Sequence, residues 1–281
     1  MSVTGVSHAA ESSRDDGLVL EEISVRFGGL LAVDRFSLRA PLARLTGLIG
    51  PNGAGKTTTF NACTGVYRPT TGQVQLFGEP ITARSTQARA QRGLGRTFQR
   101  MELFDSLTVR DNVRLGREAR MAGSNPFKHL RCSRSDAHAI HRAADEALET
   151  CGIAHLARRR PADLSTGQRR LVELARCMAG GFRLMLLDEP SSGLDKTETV
   201  AFGRILRGLV EDQGVGILIV EHDMSLVMSV CDYIYVLDFG VPIFDGTPSE
   251  VGASDIVRAA YLGSEAVELA VPVHARASGE G

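Results

Sequence analysis

The sequence predicts an α/β protein built on a mostly parallel sheet covered on both faces. Two observations carry this. Short runs rich in Leu, Ile and Val, at 18–26, 45–49, 184–187 and 216–220, read as strands. Most of them run into polar residues and then a helical pattern, the alternation expected of parallel strands joined by crossover helices. With 281 residues, 43% of them hydrophobic and 23% charged, the chain is long enough to bury a core without disulfide or metal staples.

In chain order, residues 1–16 (MSVTGVSHAAESSRDD) are small and polar and are expected to be a flexible tail. The run LVLEEISVR (18–26) reads as the first strand. The run LTGLI (45–49) is a second strand, and it leads straight into Gly50, Pro51, Asn52, Gly53, Ala54, Gly55, Lys56 and Thr57. This is a complete match to G-x-x-x-x-G-K-[ST]. Glycines let backbone N–H groups approach phosphate oxygens closely, and a helix opening near Thr57 adds its positive dipole end, with Thr58 also expected at the nucleotide. Lys56 would reach the β- and γ-phosphates of a nucleotide, and Thr57 would place its hydroxyl on Mg²⁺. A glycine-rich turn ahead of a helix is the bland alternative. The strand before and the helix after favour nucleotide binding.

The next stretch differs in charge. Residues 88–160 hold 15 Lys and Arg against 8 Asp and Glu, although the whole chain carries a net charge of only −1. Ile140, Ala144, Ala147 and Leu148 fall on one face of a predicted helix. Two readings of the basic segment stay open: a solvated surface, or a segment facing an anionic partner such as the cytosolic side of a membrane. Beyond it, Ser165-x-x-Gln168 is a capping-box pattern, and RRLVELARCMAGG continues as a helix ending at Gly180-Gly181. The apolar run LMLL (184–187) ends in Asp188-Glu189-Pro190. Alone, that is a charged strand end meeting solvent. Paired with the phosphate loop, Asp188 would orient Mg²⁺ or its water, and Glu189 would face an attacking water as general base. Residues 265–281 are expected to be loosely ordered.

Several classes are disfavoured. Five scattered cysteines without a C-x-x-C pair fit reduced thiols rather than a disulfide framework or a zinc site. No window of 18 consecutive apolar residues occurs, so no transmembrane helix is expected, and a secretory signal is not expected either. The near-neutral total argues against nucleic acid as a partner.

With Leu164-Ser165-Thr166-Gly167-Gln168 added upstream of Asp188, the chain resembles the ATP-binding cassette (ABC) ATPases over 18–264. LSTGQ is similar to the family signature L-S-G-G-Q, with Thr166 in place of a glycine. The resemblance implies a P-loop NTPase fold of the ABC type: a mostly parallel sheet core, an antiparallel β part and an inserted α-helical subdomain. It places the ATPase domain at 17–264, the helical subdomain at about 88–160, and the tails at 1–16 and 265–281. It implies ATP and Mg²⁺ as ligands and ATP hydrolysis as the reaction. Gln99, in RTFQR, resembles the Q-loop glutamine that touches metal and water. Ser192-Gly193-Leu194-Asp195 resembles the D-loop that crosses a dimer interface. His222, in IVEHDM, resembles the switch histidine on the γ-phosphate, and Phe27 matches the aromatic position that stacks on adenine. Ser165, Gly167 and Gln168 would contact the γ-phosphate held by an opposite subunit. The implied assembly is an ATP-sandwich dimer, with itself or with a homologous ATPase, on transmembrane permease subunits at the cytoplasmic face of the cell membrane. EHDMSLVMSVCDYIYVLDFGVPIFDGTPSEV, AAYLG and GLGRTFQRMELFDSLTVRDNV are similar to the ATPases of branched-chain amino-acid uptake. A lipopolysaccharide-export ATPase is the alternative.

Overall fold

The computed structural model describes residues 17–97, 103–122 and 134–261. Gln99 and both expected tails, 1–16 and 265–281, lie outside the described residues.

Two sheets form the framework. Strands β1 (Gly17–Phe27), β2 (Leu30–Pro41), β4 (Thr71–Leu76) and β5 (Glu79–Pro80) make an antiparallel sheet in the order β2-β1-β4-β5. Strands β3 (Leu45–Ile49), β6 (Leu94–Arg96), β7 (Leu184–Asp188), β8 (Gly216–Val220), β9 (Tyr233–Asp238) and β10 (Val241–Gly246) make the second, in the order β10-β9-β3-β8-β7-β6. Every pairing in it is parallel except that of β10 with β9. Strands β3, β7 and β8 are buried along their whole length, which is why they read as unbroken apolar runs.

The period of two along these strands divides the core. Leu48, Leu184, Leu186, Leu218 and Val220 pack toward the antiparallel sheet, with Leu20, Phe36 and Val74. Leu45, Ile49, Met185, Leu187, Ile217 and Ile219 pack toward the helices on the other face. Helix α1 (Lys56–Thr64) follows β3, and α2 (Thr86–Gln91) precedes β6. Helices α3 (Val109–Ala122), α4 (Arg134–Thr150) and α5 (Thr166–Ala179) pack on one another. Helices α6 (Lys196–Gln213), α7 (Met224–Val230) and α8 (Pro248–Ala253) complete the chain order, with residues 255–261 also helical. The predicted face of α4 is the buried one: Ile140, Ala144, Ala147 and Leu148 all lie in the core. Within the basic stretch 88–160, residues 94–96 belong to the parallel sheet as β6, while α5, beyond that stretch, joins the helical layer.

Gly116 sets how closely α3 and α5 approach. A Cβ there would lie 1.9 Å from the Arg176 carbonyl oxygen, a backbone atom that cannot rotate aside. Gly116→Ala is therefore expected to force the two helices apart and cost about 1–3 kcal/mol. Urea unfolding of the two proteins checks this, and an unmoved midpoint would mean that the contact yields freely.

Candidate functional site

The site lies at the C-terminal edge of the parallel sheet, where such sheets place their ligands. Strand register puts Leu48, Val220 and Asp188 on one line across β3, β8 and β7. The chain leaving each of these ends therefore emerges at one level.

From β3 it becomes the glycine-rich loop. Gly50 takes φ +150°, and a Cβ on it would lie 2.0 Å from the Leu237 carbonyl oxygen. Gly55 takes φ +96° and forms the N-cap of α1, with no side chain capping that end. The N-cap residue thus offers the first-turn amides no side-chain acceptor, an arrangement suited to an anion. Lys56 opens the helix and is 7% exposed. Its Nζ donates back to the carbonyls of Gly50 (2.6 Å) and Pro51 (3.0 Å). Burial pushes its pKa down, while the carboxylates of Glu189 and Asp188 work in the opposite direction. Thr57 is exposed and Thr58 half-buried.

From β7 the chain delivers the two carboxylates. Asp188 is 1% exposed. Its Oδ2 pairs with Arg96 Nη2 at 3.3 Å, while its Oδ1 is buried without a hydrogen-bond partner. Burial raises its pKa, opposed chiefly by the Arg96 guanidinium. An orphaned, buried carboxylate oxygen beside the lysine loop fits a hard cation such as Mg²⁺, which takes one or two protein carboxylates and completes its shell with phosphate and water. Glu189 is half-buried and sits at φ +46°, a sparsely populated backbone state held in place by its N–H bond to the Val220 carbonyl at 2.8 Å.

From β8 the chain passes through Glu221 to His222. His222 is 59% exposed. Glu221 is 0% exposed, and its carboxylate accepts N–H bonds from Ser191 (2.8 Å) and His222 (3.2 Å). It therefore ties the turn after Glu189 to the segment bearing His222. Glu221 stands within IVEHDM, where the motif does not single it out. An acidic residue directly ending an apolar run is the signal that could have done so.

A second cluster stands on the N-termini of α5 and α6. Ser165 caps α5: its Oγ accepts from Gln168 N at 3.2 Å, and Gln168 Oε1 accepts from Ser165 N at 3.1 Å, the capping box the sequence predicts. Asp195 caps α6 in the same way with Glu198. A Cβ at Gly167 would meet the Glu198 carboxylate at 2.3 Å, and one at Gly193 would meet Thr166 at 2.9 Å. Arg170, ion-paired with Glu173 at 3.0 Å, also donates to the Ser192 carbonyl. The structure thus gathers Lys56, Asp188 and Glu189 in one place, and Ser165, Gly167, Gln168 and Asp195 in another. Phe27 ends β1 with 43% of its surface exposed, its ring edge-on to Tyr67 at 5.0 Å. Tyr67 was not foreseen, since nothing in its local pattern marks it. Among the described residues, no helix is long and apolar enough to cross a membrane.

Known proteins resemble this chain over most of its length. The family model for ABC transporters matches residues 33–192. The branched-chain amino-acid transport ATP-binding protein BraF of Pseudomonas aeruginosa is 39% identical over 249 residues, covering 88% of this chain and 97% of the relative. The lipopolysaccharide export ATP-binding protein LptB of Escherichia coli is 33% identical over 248 residues, covering 88% and 98%. Among solved structures, the ADP conformation of the ABC transporter cassette MJ1267 superposes with a TM-score of 0.78 at 28% identity, covering 88% of this chain and 99% of that one. A lysine loop and an acidic pair converging at one sheet edge, on a chain with these relatives, make this protein a member of the ABC transporter family, one of its ATP-hydrolysing ATP-binding subunits.

Proposed function

We propose that the chain powers branched-chain amino-acid uptake, working as an ATP-sandwich dimer on transmembrane permease subunits at the cytoplasmic face of the cell membrane. The observation that carries the ATP site is the meeting of the Gly50–Thr57 loop with Asp188 and Glu189 at one sheet edge. The solute class rests on the 39% identity to BraF, against 33% to LptB. The ATPase domain is assigned to 17–264, with 1–16 and 265–281 as tails and a helical subdomain in about 88–160 that meets the permease.

In this reading the loop amides and Lys56 bind the triphosphate, and Phe27 stacks on adenine. Thr57, Asp188 and Gln99 would hold Mg²⁺. An ion held there would supply positive charge against that developing on the phosphate oxygens. Glu189 accepts a proton from water as the water oxygen attacks the γ-phosphorus; the bond from that phosphorus to the β–γ bridging oxygen breaks, leaving ADP and phosphate. His222 and Gln99 fix the geometry of attack. Ser165, Gly167, Gln168 and Asp195 of a second copy, or of a homologous ATPase, close the site from the far side.

Two measurements test the reading. Lys56→Ala should weaken ATP binding in a titration with fluorescent ATP, since it removes the charge aimed at the phosphates; unchanged affinity would contradict the loop assignment. Affinity isolation of the chain from membranes should recover a branched-chain amino-acid permease. Recovery of lipopolysaccharide-export membrane subunits instead would transfer the protein to that system.

A further inference from the structure

We propose that Arg96 is a positioning residue for Asp188, a guanidinium clamp that aims the aspartate's free oxygen at the metal beside the phosphate loop. The inference rests on the ATP–Mg²⁺ reading above and adds to it a role for Arg96, which stands in RTFQR three positions before Gln99 and to which the motif itself assigns none.

Arg96 is the last residue of β6, and its side chain joins three elements. Nη2 holds Asp188 Oδ2 at 3.3 Å. Nη1 donates to Asn61 Oδ1 at 2.8 Å and to Thr64 Oγ1 at 3.2 Å, both on α1. The guanidinium also lies 5.1 Å from the Phe60 ring centroid on the same helix. Helix α1 begins with Lys56, so Arg96 spans the gap between the phosphate loop's own helix and the carboxylate of β7.

The asymmetry at Asp188 gives this span a function. A buried carboxylate bound by nothing could turn about its last torsion. Here one oxygen is pinned by Arg96, and the other, Oδ1, is left without a partner. Pinning one oxygen fixes the direction of the other. The rigid fork of a guanidinium can hold Asn61 and Asp188 at once; a lysine ammonium has no such fork. Outer partners that orient a metal-binding carboxylate typically contribute 10- to 100-fold to metal affinity.

The sign of the effect separates this role from that of a bystander. Arg96 is itself a cation and repels a metal ion directly. If it served only as a nearby charge, removing it would tighten metal binding. If it positions Asp188, removing it loosens metal binding.

The test uses the full chain with ATP, and Mn²⁺ as a spin-active substitute for Mg²⁺. Electron paramagnetic resonance reads bound against free Mn²⁺, and fluorescent ATP in EDTA reads nucleotide affinity without metal. Arg96→Ala should need at least about tenfold more Mn²⁺ for half-saturation, with metal-free ATP affinity unchanged. Arg96→Lys, which keeps the charge and loses the fork, should shift the same way, and it carries the test if Arg96→Ala does not fold. Mn²⁺ binding by a folded variant that is as tight as wild type, or tighter, overturns the proposal and leaves the ATP site standing. A wild-type chain that binds no Mn²⁺ with ATP overturns both.

Discussion

Glu189→Gln is expected to bind ATP as tightly as the wild type and to hydrolyse it at least about 100-fold more slowly, the contribution typical of a general base. The amide keeps the shape and size of the carboxylate and cannot accept the proton of the attacking water. The backbone contact that places residue 189, its N–H bond to the Val220 carbonyl, does not involve the side chain and should survive. Binding and turnover should therefore separate cleanly, as they do when an interaction made only in the transition state is removed. Steady-state phosphate release and an ATP titration on the same preparation check both halves. Turnover at the wild-type rate would take Glu189 out of the chemistry.

The second large effect concerns assembly. In the Glu189→Gln background, where ATP persists, the chain should form ATP-dependent dimers. Adding Ser165→Arg should abolish them while each monomer still binds nucleotide. Ser165 is exposed at the start of α5, so a long cationic side chain can point into solvent from the folded monomer and obstruct what approaches that helix end. The substitution also removes a helix cap worth about 1 kcal/mol. Ser165→Ala in the same background controls for this, since it loses the cap without adding bulk. Light scattering with and without ATP reads the outcome. Persistent dimers of the Glu189→Gln, Ser165→Arg variant would end the idea that Ser165 seals a neighbour's site.

What the sequence disclosed and what it withheld divide along chain separation. The phosphate loop, the strand ahead of it, the capping box at Ser165 and the Asp188-Glu189 pair are each contiguous, so pattern alone exposes them. Arg96 is different. Its partners Asn61 and Asp188 lie 35 and 92 positions away, and although it opens RTFQR, nothing local ties it to either of them. Glu221 reaches Ser191 across 30 positions and was hidden for the same reason. Strand β2 is hard to read because Phe36, Leu38 and Ala40 alternate with Ser37 and Arg39, as in a half-solvated antiparallel strand, and the adjacent Asp34 and Arg35 interrupt that alternation. Strand β10 is an edge strand carrying Pro242, which masks its strand character. Phe27 matched its family by position alone; its open face and its contact with Tyr67 required coordinates.

The buried carboxylate of Glu221 has a thermodynamic corollary. Its two oxygens serve the amides of Ser191 and His222 together, so the turn after Glu189 and the segment bearing His222 cannot relax independently. Free-energy changes from substitutions at positions 189 and 222 should not sum, because each alters the reference state of the other. A motif-by-motif inventory would count two separate contributions where the folded chain holds one cooperative unit.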